Sequence, residues 1–159
     1  MNIMETVYIE TTIVSLLIAR PSRDPIMAGH QEITRRWWQD RRALFHCVTS
    51  EEVLREASLG DAEMSRLRLE ALSGIPVLAV DDSVLTLAEE ILREGILPPH
   101  VFSDALHAAV ASAHRAQVLL TWNCRHLANP LLLRKMRQFM NRRGLTLPEV
   151  CTPIEFGGD

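Results

Sequence analysis

The sequence predicts a three-layer α/β/α sandwich built on a central parallel sheet of about five strands. Three observations predict it. Short apolar runs alternate with longer, charged, helix-like segments along the whole chain. Most of those runs are continuously apolar rather than alternating, as strands covered on both faces should be. Strands separated by helices also imply βαβ units with right-handed crossovers, which lay the strands parallel. With no linker and no internal repeat, the 159 residues are read as a single domain over 1–159.

The first run, Thr6-Val7-Tyr8-Ile9, is β-branched and aromatic, as strands prefer. Leu44 to Val48, Pro76 to Val80 and Gln117 to Thr121 are the next three, and Glu149 to Ile154 is a weaker fifth. Between them, Ile26 to Arg42 is a charged helix bearing two tryptophans. Ser50 to Leu59 opens on a good N-cap. Asp61 to Ser73 and Ser83 to Arg93 each carry an apolar stripe, and Val101 to Arg115 is Ala-rich. Pro130 to Arg143 begins with proline, which the first helical turn tolerates, and Gly144 is its C-terminal stop.

Composition excludes several classes. The hydrophobic fraction of 47% supports a core, and seven glycines and eight prolines are too few for a disordered chain. No N-terminal signal pattern and no membrane-spanning apolar run is seen, so a cytoplasmic protein without membrane contact is expected. The three cysteines, Cys47, Cys124 and Cys151, lie in or beside apolar runs, where a free thiol acts as a small core residue. That fits a reducing compartment. The net charge of -3 does not suggest a nucleic-acid binder, but local charge matters more than the total. Sixteen of the seventeen basic residues are arginine, the better bidentate ligand for phosphate.

In an open α/β sheet, ligands bind outside the carboxyl ends of the strands. Acids recur there. Glu10 follows the first run, and Glu51, Glu52 and Glu56 follow the second. Asp81 and Asp82 follow the third, and Asp104 opens the helix leading into the fourth. Gathered carboxylates repel unless a cation neutralises them, and a hard divalent ion does so with oxygen ligands. Such an ion polarises a phosphodiester and activates water, making phosphodiester hydrolysis the natural reaction class. Each acid also has a structural role open to it. Glu10 suits a strand end facing water. Asp104 suits a helix's first turn, where negative charge gains roughly 0.3–1 kcal/mol and Ser103 competes as the cap. Glu56 suits a solvated helix boundary, and Asp81 and Asp82 suit the cap before Ser83.

Four segments carry a family resemblance. They are Val7-Tyr8-Ile9-Glu10-Thr11-Thr12-Ile13, Thr49-Ser50-Glu51-Glu52-Val53-Leu54-Arg55-Glu56, Ser103-Asp104-Ala105-Leu106-His107-Ala108-Ala109-Val110-Ala111 and Leu119-Leu120-Thr121-Trp122-Asn123. Over nearly the whole chain the pattern resembles the PIN-domain nucleases, especially VapC-like toxins of bacterial toxin–antitoxin pairs. The third segment is the most specific match. The resemblance implies a PIN-like sheet and endonucleolytic cleavage of RNA. Glu10, Glu56 and Asp104 would hold Mg2+ or Mn2+, and Asn123 would complete the polar ring. The last Glu of the second segment is the family's usual acid, which selects Glu56 over Glu51 and Glu52. Thr12 would bond Glu10 or a substrate phosphate, and Arg20 and Arg23 would flank the RNA. Relatives commonly form homodimers, and their first two helices often make a groove for a small antitoxin protein, with Trp37 or Trp38 a contact here. Two departures stand out: Glu10 replaces the common Asp, and Asn123 is neutral. They motivate an alternative, a non-catalytic, degenerate PIN domain that binds RNA or protein.

The remaining features point elsewhere. Arg134, Lys135, Arg137, Arg142 and Arg143 suit RNA phosphates or, more simply, a solvated basic face. His107, His114, Cys124 and His126 raise a zinc alternative, but none has a recognised ligand spacing, and His107 and His114 read as ordinary helix residues. No G-x-G-x-x-G and no Walker A sequence is present. A phosphoacceptor signalling domain would need a Lys after the last strand, whereas the sole Lys, Lys135, precedes the fifth run.

Overall fold

In a computed structural model describing residues 3–157, five parallel strands form the centre. They are β1 (Thr6–Ile9), β2 (His46–Ser50), β3 (Val77–Leu78), β4 (Val118–Leu120) and β5 (Glu149–Cys151), in the order β3-β2-β1-β4-β5. In the central strand, Tyr8 pairs with Val48 on one side and Leu119 on the other. Val7, Tyr8 and Ile9 are all fully buried, which explains why the first run is apolar without alternation. The chain winds outward from β1 to β3, then crosses back to β4. The topological switch therefore lies between β1 and β4, where a ligand crevice is expected at the carboxyl edge.

Among the described residues, seven α-helices connect the strands: α1 (Thr11–Ile18), α2 (Pro25–Arg36), α3 (Glu51–Ala57), α4 (Ala62–Leu72), α5 (Asp82–Arg93), α6 (Phe102–Ala113) and α7 (Pro130–Arg142). Side chains close most of their free amino ends. Asp24, Ser50, Asp61, Asp81 and Asn129 cap α2, α3, α4, α5 and α7. Gly144 follows α7 at φ 68°, the left-handed stop its position predicts. Helix α1 packs on α2, α3 and α4, α5 lies along α6, and α3 reaches α6. No helix among the described residues is long and apolar enough to cross a membrane.

Several boundaries differ from the sequence reading. The long helix ending at Arg42 is α-helical only to Arg36; it widens into a π turn at Trp37–Arg41 and tightens into a 3-10 turn at Arg42–Leu44. Trp37 is turned into the core, stacked on Phe45 and near Phe156, while Trp38 lies under the Arg42 guanidinium. Leu44 is consequently an exposed turn residue, and the second strand starts at His46. The third strand shrinks to Val77–Leu78 and the fifth to Glu149–Cys151, both at sheet edges. Cys124 is exposed rather than part of the core, because it sits in the turn after β4. The basic face of α7 is largely paired. Arg143 bonds Glu90 and Glu94, Arg142 bonds Glu94 and Arg137 meets Glu149, so it seams α7 to α5 and β5.

Candidate functional site

Glu10 leaves β1 at its carboxyl end and caps α1. Its Oε2 accepts from the Thr12 backbone N–H at 3.1 Å, from the Thr12 hydroxyl, and from the Thr121 hydroxyl at 2.7 Å. Thr121 directly follows β4, so these bonds strap the carboxyl across the switch between β1 and β4. The open possibility that Glu10 faces water does not hold, since it is only 3% exposed. All three of its bonds fall on Oε2. Among the described residues Oε1 accepts none, and it faces His107 Nε2 at 3.7 Å.

Glu56 comes from α3. Its Oε1 accepts from the Thr11 hydroxyl at 2.6 Å and meets His107 Nε2 at 2.5 Å. A parallel rung lies one helical turn earlier, where Ser103 donates to Glu52 at 2.6 Å. Residues four apart share a helix face. Glu52 and Glu56 on α3 therefore line up with Ser103 and His107 on α6, one rung each. Glu52 is further tied by the forked guanidinium of Arg55, and Glu51 accepts from the Val80 N–H. Of the three glutamates, Glu56 is the one that reaches Glu10's neighbourhood.

His107 is fully buried, and its Nδ1 lies 2.7 Å from the Tyr8 hydroxyl, itself 2.7 Å from the Ser50 hydroxyl. Burial favours the neutral ring, but the Glu56 bond and the charges of Glu10, Glu56 and Glu52 outweigh it and push the imidazole pKa up. Burial likewise favours a neutral Glu56, but His107 and the Thr11 hydroxyl hold its pKa down at about 2. The raised His107 and the lowered Glu56 are two sides of the one short hydrogen bond between them. One ligand atom each from Glu10, Glu56 and His107 lies within 4.8 Å of the others, a spacing that suits a metal ion.

The other expected residues stand around this trio. Asp104 lies on α6 one turn before His107, and its Oδ2 accepts from His126 Nδ1 at 2.9 Å instead of joining the trio. Neither Asp104 nor Ser103 caps α6; Val101 holds the cap position without a side-chain bond. Asn123 Oδ1 accepts from the His126 N–H at 3.0 Å, closing the turn that delivers His126. Thr12 bonds Glu10 as expected and also accepts from the Trp122 N–H at 2.8 Å. Trp122 is pinned in turn by Thr34 and stacked on His30. Arg20 and Arg23 are exposed in the α1–α2 connection and join no ion pair among the described residues. The reading of His107 as an ordinary helix residue is corrected. Its spacing of three from Asp104, on an otherwise Ala-rich buried face, is the signal that marks it. A cavity of about 610 Å3 lies at the opposite, amino edge of the sheet beside Glu5, Gln117 and Glu149, away from these carboxyls.

The family model described as "PIN domain" matches residues 7–126. Among curated proteins no match is found. Two solved structures share the fold. One is Mycobacterium tuberculosis VapC20, described as a sarcin–ricin-loop-cleaving toxin: TM-score 0.58, 18% identity, covering 78% of this chain and 95% of that one. The other is VapBC2 from Rickettsia felis bound to a DNA fragment from its promoter: TM-score 0.51, 15% identity, covering 92% of this chain and 98% of that one.

Proposed function

This chain belongs to the PIN domain family, and from that premise we propose that it is a divalent-metal-dependent endoribonuclease, the toxin of a toxin–antitoxin pair. The observation that carries the reading is the convergence of Glu10 and Glu56 at the carboxyl edge beside the β1–β4 switch. Separate elements aim these acids at one another, and threonine hydroxyls hold them there. Two acids in one partly buried place need a cation, and carboxyl oxygens suit Mg2+ or Mn2+.

In this reading Glu10 and Glu56 hold the ion, with Asp104 on α6, one turn before His107, at the margin of the site. Asn123 shapes the far wall through its bond to the His126 N–H. A divalent ion there polarises the scissile phosphodiester and activates water. Thr12 and Thr121 keep Glu10 oriented with Oε1 forward. Arg20 and Arg23, exposed and without carboxylate partners among the described residues, suit contacts with RNA phosphates. The likeness to the VapBC2 and VapC20 folds supports a small antitoxin protein as partner; a homodimeric assembly and a cytoplasmic setting are part of the same proposal and rest on the family resemblance alone. The exposed side of α2, with Ile26 and Met27, offers apolar surface for such contacts.

Cleavage of end-labelled RNA with Mg2+ or Mn2+ tests the proposal, comparing the native chain with Asp104→Asn. Metal-dependent cleavage that EDTA and the substitution both abolish is expected. Equal cleavage by the variant signals a contaminating nuclease and ends the catalytic assignment.

A further inference from the structure

We propose that His107 is a direct metal ligand through Nε2, and that the Glu10–Glu56–His107 site therefore takes a first-row transition ion such as Mn2+ in preference to Mg2+. The inference deepens the reading of Glu10 and Glu56 as the metal-holding acids and rests on it.

Three features carry it. First, the donor atoms already converge, one from each side chain, within 4.8 Å of one another. Second, Glu10 is almost wholly buried, yet its Oε1 accepts no hydrogen bond among the described residues, while Oε2 accepts three. That oxygen faces the imidazole nitrogen at 3.7 Å and is engaged by no donor among the described residues, which leaves it free to ligate an ion. Third, the ring is held as ligating histidines are. The nitrogen away from the acids is engaged by Tyr8, and Tyr8 is anchored by Ser50, all three fully buried.

A nitrogen donor changes the choice of ion. Mg2+ prefers an all-oxygen octahedron and keeps its waters, whereas imidazole favours the later first-row ions. On ligation, the proton shared by His107 Nε2 and Glu56 Oε1 passes to solvent and the nitrogen lone pair goes to the ion. The Nδ1 hydrogen then points at the Tyr8 oxygen, which still donates its own hydrogen to Ser50.

Pulsed electron paramagnetic resonance on the Mn2+-loaded protein reads the bond directly, and titration calorimetry with Mn2+ and Mg2+ reads the preference. The expected spectrum shows 14N coupling of a coordinated imidazole, lost in His107→Gln. Calorimetry is expected to show Mn2+ binding at least about tenfold tighter than Mg2+, with the ratio shrinking in the variant. Mn2+ bound without 14N coupling, or Mg2+ bound as tightly as Mn2+, overturns the proposal. Should His107→Gln fail to fold, the native spectrum alone decides. If 14N coupling is present but no RNA is cleaved, the metal ligand stands and the nuclease reading falls. If Mn2+ does not bind, both fall.

Discussion

Replacing Tyr8 with Phe tests whether the core chain Ser50–Tyr8–His107 holds the site. The substitution removes one oxygen and keeps the ring, so packing against the sheet is preserved. His107 Nδ1 is fully buried and loses its only partner among the described residues, which costs about 1–3 kcal/mol. The bond between Tyr8 and Ser50 contributes about 0.5–1.5 kcal/mol more. Ser50 retains the Val53 N–H at 3.2 Å, so its oxygen is not orphaned and the total falls at about 2–4 kcal/mol. In a chain of this size that lowers the melting temperature by roughly 5–12 °C. Urea denaturation followed by far-UV circular dichroism gives the free energy, and calorimetric Mn2+ titration of the same variant gives the effect on the site. Losing the group that orients a ligating ring should weaken metal about 10–100-fold. A variant within about 0.5 kcal/mol of the native protein, binding Mn2+ equally well, refutes the view that this chain positions the site.

Other consequences follow from the same geometry. Glu10→Asp withdraws the carboxyl by one methylene from Thr121, and Mn2+ affinity should drop about tenfold when measured by calorimetry. Stability should fall as pH drops from about 4.5 towards about 2, because folded Glu56 is held at about 2 and ionised Glu56 supports the fold only while it stays deprotonated; Glu56→Gln should flatten that part of a pH–denaturation series. Trp37→Ala empties a core position beside the Phe45–Phe156 pair and should cost about 3–5 kcal/mol in urea titrations. Cys124 should be the single thiol reacting quickly with a disulfide reagent in native protein, because it is the exposed one; desolvation pushes all three thiols up, Cys47 and Cys151 to about 11, and Cys124→Ser should remove the fast phase.

Much of this architecture is legible in sequence because parallel strands must be apolar on both faces and helix caps obey local rules. Val7-Tyr8-Ile9 and Leu119-Leu120 could hardly sit elsewhere than in the middle of the sheet. Ser50, Asp61 and Asp81 cap the helices that their positions announce. What escapes local rules is decided by packing. The π turn at Trp37–Arg41 carries one indole into the core and leaves the next packed at its margin, an arrangement no local propensity encodes. The α7 arginines look like a phosphate-binding face until the fold lays Glu90 and Glu94 against them. Glu10 looks solvated until β4 brings Thr121 alongside it, 111 residues later in the chain.

Asp104 and His107 share a helix face but not a set of partners. Both lie on one face of α6, a single turn apart, and the sequence pattern draws attention to the acid. Depth separates them. His107 has no exposure and touches both glutamates, whereas the Asp104 side chain keeps 16% exposure and is engaged by His126. The Glu56 side chain, at 26% exposure, is more open than Asp104, so the trio is not shut off behind the Asp104–His126 pair; what sets Asp104 apart is that its carboxyl is engaged by His126 and not by the trio, which suits it to act on substrate while the trio holds an ion. The two roles separate by experiment: Asp104→Asn should reduce cleavage more than it weakens Mn2+, and His107→Gln should weaken Mn2+ first. If Asp104→Asn abolishes Mn2+ binding as completely as Glu56→Gln does, Asp104 belongs with the ligands and this division of labour is wrong.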